Sequence, residues 1–144
     1  MTTKQWLSRA INLETEIAEL RAQRLDEWER VTKATQGVSG DVIQSSNDPH
    51  KFDRISELVD LYDAVIDKRI AIRGEIFKAI SICDKQIYRR ILMKKYLEGK
   101  TFDTIAEEVR MSKRHVERLH GRALIEMGGI ISAIEGGRIL QAPP

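Results

Sequence analysis

The chain is short of several things that would each point to a class of protein. It has one cysteine, Cys83, so it cannot close an internal disulfide. Only 6% of it is aromatic and it has three prolines, two of them the last two residues. Regular β-branched, turn-rich segments are missing too, which argues against a β-sandwich and for helices. No apolar run approaches the length of a membrane span. The opening MTTKQWLSRAINLETEI turns polar within a few residues and carries acids, so it lacks the apolar region of a signal peptide. These absences predict a soluble, cytoplasmic protein with no membrane association.

Chemistry is equally thin. The paired glycines near the end lack the Gly-Lys-Ser/Thr of a phosphate loop. His115 and His120 are five residues apart, so they do not share a helix face, and no cysteine or carboxylate completes a metal site. Cys83 reads as a buried or boundary thiol without a catalytic partner. Asp60, Asp63 and Asp67 could share a helix face, but with Lys68 and Arg69 beside them they read as a solvated face or as ion-pair partners. The sequence predicts no enzyme, no cofactor and no metal.

What is present is charge, unevenly placed. Of 144 residues, 42% are hydrophobic and 32% charged, which fits one ordinary domain or two small helical ones. Residues 1–82 hold 12 Lys and Arg against 14 Asp and Glu, and residues 83–144 hold 12 against 8. Within 110–122 there are five basic residues (Arg110, Lys113, Arg114, Arg118, Arg122) and one acid, Glu117. A basic second half suggests a polyanionic partner.

The apolar spacing predicts an all-α chain. Trp6, Ala10, Leu13, Ile17 and Leu20 make a heptad seam, so one helix is expected from about Thr3 to Ala34. Residues 36–49 have two glycines, three serines and Asn-Asp-Pro, and predict a loop. From about His50 to Ile82 there are two apolar stripes. One holds Ile55, Leu58, Tyr62, Val65, Ile72, Ile76 and Ala79; the other holds Phe52, Val59, Ile66, Ile70, Phe77 and Ile80. A helix covered on two sides needs more partners than one hairpin neighbour. Either the C-terminal half or a second copy of residues 1–82, forming a four-helix bundle, would supply them. We expect 1–82 to be a helical hairpin that oligomerises.

From Asp84 the texture changes. DKQIYRRILMKKYLEGKTF predicts a helix with Ile87, Ile91, Leu92 and Tyr96 inward and Arg89, Arg90, Lys94 and Lys95 outward, stopped by Gly99. Thr101, or alternatively Thr104, offers an N-cap to a short helix burying Phe102, Ile105, Ala106 and Val109. After a brief turn Ser112 caps a helix reaching at least Met127, with fraying or a kink expected at the glycine pairs 128–129 and 136–137. Two short helices with a tight turn, the second basic, follow the pattern of a helix-turn-helix. Val109, Met111 and Val116 would plug the angle between them, and Leu119 and Leu124 would face the preceding helix. The expected layout is a hairpin over 1–82, a DNA-binding domain over 83–135 and a tail over 136–144.

ILMKKYLEGKTFDTIAEEVRMSKRHVERLHGRALIEM, within residues 84–127, resembles region 4 of sigma-70-type factors. The whole layout resembles small phage regulators of the RinA/ArpU type. The resemblance implies a regulator of late or packaging genes in a bacterial host cell, acting on double-stranded DNA, with host RNA polymerase as a further candidate partner. It implies base-reading roles for Ser112, Lys113, Arg114, Glu117 and Arg118 at the start of that helix. Arg89, Arg90, Lys94, Lys95, Lys100, Thr101, His120 and Arg122 are then candidates for phosphates. His120 has an alternative place at the edge of the core. Glu117 would either accept from a cytosine N4 amino group or pair with Lys113 or Arg114, the pairing being slightly favoured. Arg110 occupies a turn position that the family usually gives to glycine, which puts the left-handed conformation there in question. A small terminase-like packaging protein and an RNA-polymerase-binding adaptor are the rival readings.

Overall fold

The computed structural model of the chain describes residues 1–36 and 50–137. The expected loop over 36–49 lies outside the described residues except for Gln36, as does the tail beyond Gly137. Every described element is helical: α1 (Thr3–Ser8), α2 (Leu13–Gln36), α3 (Lys51–Ile82), α4 (Gln86–Leu92) running on as a π-helical turn (Met93–Leu97), α5 (Phe102–Val109) and α6 (Lys113–Glu135). No strand occurs among the described residues.

The first helix is not continuous, as its seam had suggested. α1 ends at Ser8, and Asn12 takes φ 83° before α2 begins. Asparagine tolerates the left-handed region better than most residues because its short side chain can bond locally. The seam survives the break: Trp6, Ala10, Leu13 and Ile17 are all buried. α1 opens with reciprocal bonds between Thr2 and Gln5, which satisfy two otherwise orphaned N–H groups.

The chain forms two compact units. One joins Met1–Glu14 to the chain from Ala71 on; the other is Thr15–Ile70. The Thr15–Ile70 unit is a pair of long helices, α2 against α3. Arg24 Nε lies 2.8 Å from Asp63 Oδ1, and Arg69 Nε lies 2.9 Å from Glu16 Oε1. These pairs occur in opposite order along the two helices, so the helices are antiparallel. Asp63 is thus an ion-pair partner, and no group of three metal-ligating residues occurs among the described residues. Among the described residues of this unit four side chains are buried: Ile17, Val31, Val59 and Ile66.

The other unit has a contiguous core. Leu7 of α1, Ile76 and Ile80 of α3, Ile91 and Leu92 of α4, Tyr96 of the π turn, Ile105 of α5 and Val116 and Met127 of α6 have no exposed surface. α6 is continuous through Gly128 and Gly129 to Glu135, correcting the expected kink. Each interior glycine costs about 0.5–1 kcal/mol relative to alanine. Burying Met127, Ile131 and Ile134 contributes about 1.5–3 kcal/mol each, which outweighs that cost. Gly128 also admits α1: a Cβ there would sit 3.2 Å from Thr3 Oγ1. No described helix is long and apolar enough to cross a membrane.

Candidate nucleic-acid interface

The geometry around α6 begins with caps. Thr101 Oγ1 accepts the Thr104 N–H at 3.3 Å and starts α5. Ser112 Oγ accepts the His115 N–H at 3.2 Å and starts α6. Such caps are worth about 1 kcal/mol each and fix where the helices begin. Between them Arg110 adopts φ 58°, ψ 47°. The left-handed conformation therefore forms without glycine. Its cost, about 1–2 kcal/mol, is offset by the closure of α5, where the Met111 N–H donates to the Ala106 carbonyl at 3.0 Å. Val109 and Val116 are buried in the angle of the turn, but Met111 is 36% exposed and does not plug it.

This turn sets which side of α6 faces out. Val116, Leu119, His120 and Ala123 are buried. Ser112, Lys113, Arg114, Glu117, Arg118 and Arg122 are exposed. Lys113 Nζ lies 3.5 Å from Asp103 of α5. The expected pair between Glu117 and Lys113 or Arg114 does not form, because Asp103 takes Lys113 from across the turn. Arg114, Glu117, Arg118 and Arg122 have no side-chain partner among the described residues. Arg110, which the sequence had not placed in the set, is also exposed and unpaired there. Its charge was visible beforehand, whereas its outward position depends on the left-handed turn.

The phosphate candidates are scattered. Arg89 Nη1 donates to the Cys83 and Asp84 carbonyls, at 2.6 and 2.7 Å. Arg89, Arg90 and Lys94 border an open groove of about 510 Å³ with Ser81, Gln86, Met93 and Glu98. Lys94 and Lys100 both bond Glu108, and Lys100 also reaches Glu98. The bond to Glu108 raises the Lys100 pKa, and the lysines, Lys100 first, lower that of Glu108. Lys95 lies over the Phe102 ring, 4.4 Å from its centroid. Asp103 and Glu108 are five residues apart, or about 140° around α5. Lys94 and Lys100 are therefore anchored on a different side of α5 from Lys113.

His120 lies in the core. It is only 7% exposed, and its Nε2 is 2.7 Å from Tyr96 Oη. The edge of Phe102 packs on it at 5.0 Å. Burial, helped by Lys4 and Lys95, pushes its pKa down to about 4, so the ring is neutral at pH 7. The neutral ring and the tyrosine hydroxyl, whose own pKa burial raises to about 12, share one hydrogen bond whose direction follows the imidazole tautomer. His120 is thus a core residue with no surface to offer a phosphate. Cys83 is likewise buried, and burial, then Glu126, raises its thiol to about 11, which leaves it unreactive at neutral pH.

Compared with protein-family models, with curated proteins and with solved structures, the chain matches none.

Proposed function

We propose that the chain is a sequence-specific DNA-binding regulator of transcription, with α5 and α6 as a helix-turn-helix of the sigma region 4 kind. One observation supports the reading: Arg114 and Arg118, one turn apart at the start of a capped helix, are exposed and have no side-chain partner among the described residues. A guanidinium held this way can donate two parallel bonds to guanine O6 and N7 in the major groove. Glu117, equally free, stands between them and can accept from a cytosine amino group. Lys113, loosely held by Asp103, would join them as a reader, and Arg122 and Arg110, exposed on the same helix and at the turn before it, would meet phosphates. Arg90 is the freest cation of the α4 set.

The resemblance to small phage regulators extends the proposal to late or packaging genes of a phage, acting in the bacterial cytoplasm beside host RNA polymerase. The carboxylates on the outer side of α5 favour entry by α6 alone over a broad basic surface. With about four phosphates neutralised per protomer, log affinity should fall with log salt at a slope of roughly −4. Titration of duplex DNA at several salt concentrations tests this; a salt-independent interaction contradicts it. Replacing Lys113, Arg114 and Arg118 by alanine should abolish preference among sequences. Unchanged regulation by that variant would instead favour an adaptor that reads no bases.

A further inference from the structure

The face that α6 offers to DNA includes one acid from outside the helix. Asp103 stands in the first turn of α5, and its Oδ1 lies 3.5 Å from Lys113 Nζ across the turn. Both side chains are more than half exposed. Glu108 of α5 is occupied elsewhere, by Lys94 and Lys100. Glu117, one turn along α6 from Lys113, is exposed and leaves that lysine to Asp103. An ammonium has three N–H donors. One directed at Asp103 leaves two for a base edge, and the carboxylate fixes where the nitrogen stands. The same carboxylate cancels much of the charge that Lys113 would bring to a phosphate. A phosphate bonded to Lys113 would also come within about 6 Å of it, where like charges repel.

We infer that Asp103 is a positioning residue for DNA recognition: it holds Lys113 toward a base edge and penalises binding through phosphates alone. This rests on the reading of α6 as a recognition helix. Binding to any sequence alike is almost wholly a matter of cations meeting phosphates, so an acid at the interface weakens it most. Binding to the right sequence keeps the base contact, which a lysine already held in place makes at less cost in side-chain freedom. Specificity is the difference between the two affinities, and a repulsive group raises it by weakening the wrong complex more than the right one. An acid in the first turn of a helix also favours the helix itself, a role that would leave the ratio of the two affinities unchanged.

The test titrates the whole protein with two duplexes: the one that the wild type enriches from random sequence, and a scramble of it. Asp103→Asn should strengthen binding to the scramble by about threefold to tenfold and steepen its salt slope by about one. The enriched duplex should gain less, so the ratio of the two affinities should fall by about threefold or more. Asp103→Glu keeps the charge and should keep the wild-type ratio. In a Lys113→Ala chain, Asp103→Asn should leave the ratio unchanged, because no ammonium remains to be positioned. Thermal melting verifies that each variant is folded at the temperature of the titration. Equal gains on both duplexes, a ratio that Asp103→Glu fails to keep, or the same fall in ratio with and without Lys113 would each overturn the inference and leave the DNA reading standing. A wild type that retains neither duplex would overturn that reading, and the inference with it.

Discussion

The two units of this chain solve the same problem unequally. The unit built from α1, the end of α3 and α4 to α6 closes a core in which Leu7, Tyr96, Ile105 and Met127 have little or no contact with water. The Thr15–Ile70 unit buries few residues and leaves Leu25, Trp28, Phe52, Leu61 and Ile70 between 42% and 61% exposed. Single exposed apolar side chains need no explanation. Five large ones on two helices mean that an isolated hairpin leaves much of its hydrophobic stabilisation unrealised. Among the described residues the first unit closes a core and the second buries only four side chains.

The comparison can be broken most severely at Leu7. It sits at the start of the chain but belongs to the core of the unit that holds α6. Leu7→Ala should cost about 3 kcal/mol in urea unfolding and loosen α6. A small effect would mean that α1 is an appendage and that the division between the units lies elsewhere.

Next comes pH. His120 is buried neutral with its pKa lowered to about 4, against about 6.5 unfolded. Between those values the unfolded chain binds more protons, so stability is fully present above pH 6.5 and declines as pH falls toward 4. Allowing for partial hydration of the site, the loss should reach about 2 kcal/mol. It should appear as a falling melting temperature that His120→Gln flattens, and a flat wild-type profile would contradict the burial. A smaller change, of opposite sign, is expected at the turn. Arg110→Gly should stabilise the chain by about 1 kcal/mol by relieving φ 58°, as read by thermal melting. The smallest effect belongs to the hairpin. Asp63→Asn removes a half-exposed pair with Arg24 and should cost about 0.5 kcal/mol, again by melting.

The parts of this fold that could be read in advance are those written in local chemistry. Thr101 and Ser112 mark helix starts by hydrogen bonds to N–H groups three residues on. The buried set Ile105, Ala106, Val109, Val116 and Leu119 follows directly from helical spacing. What could not be read depends on contacts distant in sequence. The break before Asn12 has no proline or glycine to announce it. The continuity of α6 through Gly128 and Gly129 comes from packing, not from propensity. At the candidate site, the exposure of Arg114 and Arg118 was legible because their apolar neighbours fix the inward side. The separation of Lys94 and Lys100 from Lys113 was not, because it depends on which acids of α5 each one meets. The sequence left His120 between a phosphate contact and the core edge, and Tyr96, 24 residues away, puts it in the core.

The central claim is that the free face of α6 reads DNA, and selection of bound duplexes from random sequence tests it most directly. The wild-type chain should enrich a shared sequence, and Arg114→Ala should lose the preference at one base pair while keeping the rest. Enrichment of nothing by the wild type, or an identical enriched sequence from Arg114→Ala and Arg118→Ala, would contradict the assignment of these two arginines as readers.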